Sequence, residues 1–192
     1  MGSNPVASTE QELKGKEMKI LVVRHGETEW NSNNLVLGRN DVDLNEIGIR
    51  QAQELRDNFP GQIHHVFSSP LKRAAMTASI VCEGKDLDIQ YDNRLIEMDF
   101  GSYEGKDRCD LAYNKKKKEY FIKYPEGESY LMVAQRVYNF LDEVIEKYSN
   151  ENVMLVTHNG ICRVLNTYFN GVSNEEFSKY SVNNCEVTEY IV

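Results

Sequence analysis

The chain has 192 residues, 22 of them Lys or Arg against 30 Asp or Glu, for a formal net charge of −8. That length suits one sizeable core, and the acidic balance disfavours a general nucleic-acid or anionic-membrane binder, so any anionic ligand must meet a local cluster of cations. No apolar run approaches the ~20 residues of a membrane span and no signal pattern opens the chain, which points to a soluble, cytoplasmic protein with no nucleic-acid or membrane partner.

The polar opening "MGSNPVASTEQELKGKE" lacks periodicity and precedes "MKILVV", so residues 1–17 read as a tag, scar or loose extension and residues 18–192 as one domain. "KILVV" has the continuous apolar, β-branched character of a buried strand. "NEIGIRQAQELRDNF" reads as a helix with Ile47, Ala52, Leu55 and Phe59 near one face. "HHVFSS" is a short strand. It stops at Ser69 and Pro70, read as a cap and first helical position that open the helix "PLKRAAMTASIVCEG". "DIQYDNRLIE" reads as extended. "SYLMVAQRVYNFLDEVIEKYS" is the longest helix, with Val133, Val137, Phe140, Leu141, Val144 and Ile145 on one stripe. "NVMLVT" is a second continuous apolar strand, "GICRVLNTYF" a helix after it, and "CEVTEYIV" alternates as an edge strand does. Strands alternating with helices argue for an α/β sandwich on a mostly parallel sheet.

Cys82, Cys109, Cys162 and Cys185 are widely spaced, without a CxxC pair, and suggest neither a disulfide framework nor a metal knot. His64 and His65 are adjacent on a strand and so point to opposite faces, which suits a metal pair poorly. Neither a metal nor another cofactor is expected.

Two apolar strands end alike, "LVVRHG" at Gly26 and "LVTHNG" at Gly160. In open α/β sheets ligands bind beyond the carboxyl ends of strands, so neighbouring strands would set His25 beside His158 at one rim. The stretch "HHVFSSPLKR" delivers Arg73 on the first turn of a helix at that rim, and "RLIE" delivers Glu97 as a further strand end. Two arginines, two histidines and a carboxylate fit phosphoryl chemistry. Arg24, Arg73 and a protonated His158 hold the group, the cations keep His25 neutral and nucleophilic, and Glu97 protonates the leaving oxygen. Asp99, two residues on, is the competing carboxylate if the backbone is a strand. Glu104 reads as a structural hydrogen-bonding residue, and Trp30 as a rim or packing residue.

"RHGETEWN", "SSPLKRAAMTA", "RLIEMDFGSYEG" and "VTHNGICR", in that order, resemble the histidine phosphatase superfamily, the phosphoglycerate mutase-like proteins. The resemblance implies a three-layer α/β/α sandwich with a mostly parallel sheet and an antiparallel edge strand. It implies a catalytic core of Arg24, His25, Arg73 and His158, with Glu97 as proton donor and Asn31 and Gly38 in the phosphate pocket. Asn159 stands where many members have glycine and alters the pocket wall while its backbone amide faces the phosphate. The activity implied is metal-independent hydrolysis of a small phosphorylated metabolite through a phosphohistidine. The alternatives are a mutase-type phosphoryl transfer, for which members tend to be longer, and a non-catalytic module that binds a phosphorylated ligand. The sequence leaves the natural substrate and the oligomeric state open.

Residues 103–130, "YEGKDRCDLAYNKKKKEYFIKYPEGESY", form the one strongly basic, tyrosine-rich stretch and are read as a small cap over the strand ends. There one or two of Lys115 to Lys118 would meet a second anionic group of the substrate while Tyr113, Tyr120 or Phe121 covers its apolar or ring face. A plain solvated helix surface is the competing reading.

Overall fold

The computed structural model describes residues 17–192, so the opening extension, Glu17 apart, lies outside the described residues. The chain begins with strand β1 (Lys19–Arg24), a single turn α1 (Glu29–Ser32) and helix α2 (Glu46–Asp57). Strand β2 (His65–Ser68) leads into α3 (Lys72–Cys82), and β3 (Ile89–Tyr91) into 3-10 turns at Asn93–Leu95 and Gly101–Tyr103. Then come α4 (Leu111–Lys116), α5 (Tyr130–Lys147), β4 (Val153–Thr157), α6 (Asn159–Phe169), α7 (Asn174–Lys179) and β5 (Val187–Ile191).

The five strands form one sheet in the order β3-β2-β4-β1-β5, parallel except for β5, which runs antiparallel on the edge of β1. Alternate residues face opposite layers. Ile20, Val22, Val153 and Leu155 pack with Val133, Val137, Phe140 and Leu141 of α5 and with Ile161 and Leu165 of α6. Val23, Met154 and Val156 pack with Ala74, Ala78 and Val81 of α3, against which Leu55 and Phe59 also lie. This is the three-layer sandwich, and it explains why β1 and β4 read as unbroken apolar runs: both of their faces are buried. Each aliphatic or aromatic side chain removed from water there stabilises the fold by roughly 1.5–3 kcal/mol before the entropy of ordering is subtracted. Among the described residues no helix is long and apolar enough to cross a membrane.

Three local expectations are corrected. Ile47 is 44% exposed, and the inward face of α2 is Gly48 and Ala52. The cause is a backbone contact: a Cβ on Gly48 would lie 2.6 Å from the amide nitrogen of Glu27, and one on Gly26 would lie 2.5 Å from the carbonyl oxygen of Gly48. That glycine pair fixes the rotation of α2, and Ile47, about 140° round the helix from Ala52, turns outward. Ser69 is not the cap of α3, which starts at Lys72 after Leu71 with no side-chain cap. Only Ile89–Tyr91 of "DIQYDNRLIE" is strand, because the Asp92 side chain accepts from the amide of Arg94 at 2.7 Å and turns the chain into a 3-10 helix. Glu97 therefore sits on irregular backbone beyond that turn and shares no strand face with Asp99. The short helices α1, α4 and α7 carry too few turns for a periodic signal, yet each has its N-cap, Thr28, Asp110 or Ser173.

Close packing of the glycine pair makes a direct prediction. Gly48→Ala costs about 2 kcal/mol in urea unfolding despite its better helix propensity, because backbone must move to admit the methyl. Gly171→Ala, at a position with nothing within 4 Å of the added carbon, is close to neutral.

Candidate active site

Because β1 and β4 are parallel neighbours with Arg24 opposite Thr157, the next residues of both strands emerge together. The amide of His25 donates to the Thr157 carbonyl at 2.9 Å, and the rings of His25 and His158 lie with centroids 5.1 Å apart. Both rings are buried.

The protonation of each ring follows from its partners. Nδ1 of His25 lies 2.7 Å from the carbonyl oxygen of Gly26, an acceptor only, so Nδ1 carries the hydrogen and Nε2 keeps its lone pair. Gly26 is held in turn by its amide on Thr77 Oγ1 at 3.0 Å, and Thr77 donates to the Arg73 carbonyl at 2.7 Å. Burial first, then Arg73 and Arg24, push the pKa of His25 well below its ordinary value of 6.5. His158 accepts from Arg73 Nε at Nδ1 (3.2 Å), so its hydrogen is on Nε2, which donates to Ser69 Oγ at 2.7 Å. Burial, Arg73 and His25 lower its pKa too. The reading of His158 as a standing cation is thereby corrected: it is neutral in the free site. The same contact gives Ser69 its place, since its hydroxyl serves His158 and the Leu71 amide (3.3 Å) and not a helix start.

Arg73, on the first turn of α3, is 0% exposed and donates to the carbonyls of Asn40 at 2.9 Å and Gly38 at 2.7 Å. Burial lowers its pKa to about 10. Gly38 has no room for a side chain, a Cβ there falling 2.7 Å from the Met98 carbonyl, and its visible contribution is the carbonyl on Arg73. Glu104 shapes this loop by accepting from the amides of Arg39 at 2.7 Å and Asn40 at 2.9 Å, the structural part read for it. Arg24 donates from Nη1 to the Val182 carbonyl at 2.6 Å, and its buried Nε has no partner. Asn31 forms a capping box with Thr28, each side chain accepting from the other's amide at 3.2 Å. Asn159, the first residue of α6, turns its Oδ1 to the amide of Val182 (3.0 Å) and the hydroxyl of Ser181 (3.2 Å).

Thr157 Oγ1 donates to the Leu95 carbonyl at 2.8 Å, which ties the turn before Glu97 to the end of β4. Glu97 is 4% exposed and accepts from the amides of Met98 (2.8 Å) and Gly160 (3.1 Å). Burial raises its pKa, opposed by those two amides and by Arg73 and Arg136. Arg136, which the sequence reading passed over, holds this segment from α5. It donates to the Arg94 carbonyl at 2.6 Å and, at 3.2 Å, pairs with Glu128, whose carboxylate also accepts from the Asp99 amide at 3.0 Å and pairs with Arg39 at 3.2 Å. Asp99 itself accepts from the Gly101 amide at 2.8 Å and lies off the cluster.

Glu97 also lines a cavity of about 390 Å³ together with Asn159, Gly160, Tyr113 and Tyr130 and the cations Arg108, Lys117, Arg163 and Lys179. Of the four consecutive lysines only Lys117 reaches it. Lys115 and Lys118 are exposed, and Lys116 is ion-paired with Glu119 at 2.8 Å. Tyr120 and Phe121 line a separate apolar groove, and Trp30 packs beside Gly105. Arg108 and Arg163 were not singled out in the sequence because neither lies at a strand end; the signals were Arg108 inside the basic stretch 103–130 and Arg163 inside "VTHNGICR". Among the described residues no group of three or more His, Cys, Asp or Glu side chains is placed to hold a metal ion. His64 accepts from the Asn152 amide at 2.8 Å, and His65 stacks on Tyr148 with centroids 4.0 Å apart.

A family model described as histidine phosphatase superfamily (branch 1) matches residues 20–192. The chain is 31% identical to phosphoserine phosphatase 1 of Hydrogenobacter thermophilus over 175 residues, 87% of this chain and 83% of that protein. It is 34% identical to phosphoglycerate mutase-like protein 4 of Arabidopsis thaliana over 164 residues, 77% of this chain and 69% of the relative. Its fold matches the crystal structure of phosphoserine phosphatase from Entamoeba histolytica in complex with 3-phosphoglyceric acid. The TM-score is 0.78 and the identity 25%, covering 90% of this chain and 89% of that one.

Two neutral histidines make stability sensitive to acid. A histidine whose folded pKa lies below its unfolded value stabilises the fold above that unfolded value, and the contribution is lost as pH falls below about 6.5. Glu97, with a raised pKa, acts in the opposite direction and offsets part of the loss. Unfolding free energy in phosphate-free buffer therefore falls by on the order of 2 kcal/mol between about pH 6.5 and 5.5, and His158→Gln removes about half of that slope. Urea titrations at stepped pH measure both.

Proposed function

The chain belongs to the histidine phosphatase superfamily, branch 1, and on that premise we propose that it hydrolyses a small phosphorylated metabolite through a phosphohistidine formed on His25. The observation that carries this is the tautomer: Nδ1–H of His25 is committed to the Gly26 carbonyl, and the unprotonated Nε2 is the free nucleophilic atom of the buried cluster. Relatives named phosphoserine phosphatase support hydrolysis over mutase-type transfer.

In the proposed cycle the phosphoryl group lies against Arg24, whose Nε is a vacant donor, and Arg73. His158, neutral beforehand, takes up a proton as the dianion enters and becomes the third donor, while Asn31, Gly38 and the Asn159 backbone complete the pocket. Nε2 of His25 attacks phosphorus, the P–O bond to the leaving group breaks, and Glu97, kept protonated in part by burial, gives its proton to the departing oxygen. Water then attacks the phosphohistidine, Glu97 takes the proton back, the P–N bond breaks and inorganic phosphate leaves. The arginines meet the developing charge, so the cycle calls on no cofactor.

The domain reading belongs to the same proposal: residues 18–192 as one domain and 103–130 as its cap, supported by Arg108, Tyr113, Lys117 and Tyr130 lining the cavity beside Glu97. A cytoplasmic setting is supported by four free cysteines.

His25→Ala abolishes phosphate release from p-nitrophenyl phosphate in EDTA-containing buffer, with the urea midpoint retained. Appreciable residual turnover would sink the mechanism, and no turnover by the unaltered protein would favour a binding module. Glu97→Gln slows alkyl phosphates by about 10²-fold or more and p-nitrophenyl phosphate much less, because a good leaving group hardly needs the proton. Equal losses on both would reduce Glu97 to a positioning part.

A further inference from the structure

The segment that carries Glu97 is gripped from α5 through a carboxylate outside the catalytic cluster. Glu128 directly precedes Ser129, the N-cap of α5, and its side chain is only 12% exposed. Oε1 meets Arg136 Nε and Arg39 Nη2, each at 3.2 Å, while Oε2 meets Arg136 Nη2 at 3.2 Å and accepts from the Asp99 amide at 3.0 Å. Main-chain bonds fix the carboxylate in place: the Glu128 amide donates to the Asp99 carbonyl at 2.9 Å, and the Tyr124 amide to the Glu128 carbonyl at 3.0 Å. A Cβ on Gly127 would clash with that same Asp99 oxygen, so the turn before Glu128 closes on the Glu97 segment at backbone distance. Burial works to raise the pKa of Glu128, but Arg136, the Asp99 amide and Arg39 outweigh it and hold the carboxyl below its usual value, so the group is an anion.

Arg136 passes this grip on. It delivers Nη1 to the Arg94 carbonyl at 2.6 Å and Nη2 to the Glu97 carbonyl at 3.4 Å, so both ends of the Arg94–Glu97 stretch hang on one guanidinium. Its charge also reaches the Glu97 carboxyl and, like that of Arg73, draws the proton off it. Glu97 faces further groups from every neighbouring element: Arg24 of β1, Arg73 of α3, Tyr113 of α4, Tyr130 of α5 and Cys162 of α6, besides the cavity cations. Glu128 works against the pull of Arg136, because an anion bonded to a guanidinium screens its charge from a third group. Resting on the hydrolase reading above, we propose that Glu128 is a positioning residue for proton delivery. It holds Arg136 on the backbone of Glu97 and cancels enough of that arginine's charge for Glu97 to keep the proton it gives to the leaving oxygen. Glu128 does not line the cavity and acts only through Arg136. Since Arg39 belongs to the loop that carries Gly38, the same carboxylate also ties the proton donor to the loop on which Arg73 is anchored.

The test titrates Glu97 directly, by carboxyl carbon NMR on glutamate-labelled protein, its signal being the one lost in Glu97→Gln. Glu128→Gln, which leaves Arg136 unbalanced, lowers the Glu97 midpoint by about half a pH unit or more. Arg136→Met, which leaves the Glu128 anion, raises it, and the double variant returns it close to the original. A mere structural brace predicts slower turnover in both single variants but not opposite signs. At neutral pH Glu128→Gln lowers kcat on alkyl phosphates about threefold or more and on p-nitrophenyl phosphate much less, and the alkaline limb of the alkyl-phosphate profile moves to lower pH. An unchanged midpoint in Glu128→Gln overturns the proposal, as do single variants that shift it in the same direction or equal kcat losses on both esters. Should one single variant fail to fold, the sign of the other decides. No phosphate release by the unaltered protein overturns the hydrolase reading, while opposite signs in the titration keep the charge balance standing.

Discussion

A guanidinium with no access to solvent organises this molecule. Arg73 reaches the Gly38 and Asn40 carbonyls and Nδ1 of His158, so its hydrogen bonds end on neutral acceptors. Removing such a charge from water costs several kcal/mol even after relaxation, and its pKa of about 10 records the strain of that burial. The cost is tolerated because the charge has consequences on three sides. It fixes the loop that carries Gly38, dictates the tautomer of one histidine and depresses the pKa of both. In the proposed cycle a phosphate dianion would supply the counter-charge that the free protein withholds.

The backbone around this cation is brought in close by glycines whose replacement has no space. Gly26 and Gly48 let the exit of β1 touch α2, and Gly160 lets Glu97 lie on the first turn of α6, where a Cβ would sit 2.5 Å from its carboxylate. The amide of Gly160 then holds the carboxylate that the surrounding burial would otherwise neutralise more fully. Packing and acid–base chemistry are therefore one problem at this rim: the contacts that permit close approach also set how much proton Glu97 retains.

The last strand and the segment before it complete the site from the other side. Val182 accepts from Arg24 and gives its amide to Asn159, while Asn184 donates to the His25 carbonyl at 2.8 Å and Cys185 donates to that of Arg24 at 2.9 Å. One stretch of chain thus orients Arg24 and helps wall the neighbouring cavity. A single side chain, Asn159, links the two tasks.

How much of this was legible in the sequence depends on the range of the interaction. Strands buried on both faces must be continuously apolar, so "KILVV" and "NVMLVT" announced themselves, and their matching endings set His25 beside His158 once the fold made β1 and β4 parallel neighbours. The stripe of α5 was readable for a similar local reason, the helical spacing of its apolar residues. What folding alone decided lies between distant residues: Ser69 meeting His158 across 89 positions, Arg136 bracing the segment of Glu97, Ile47 displaced by a glycine contact, and Lys117 singled out from identical neighbours. The charge on His158 belongs to this second group. A residue's type fixes its ordinary pKa, but desolvation and the direction of a neighbour's N–H exist only once the chain has closed around it.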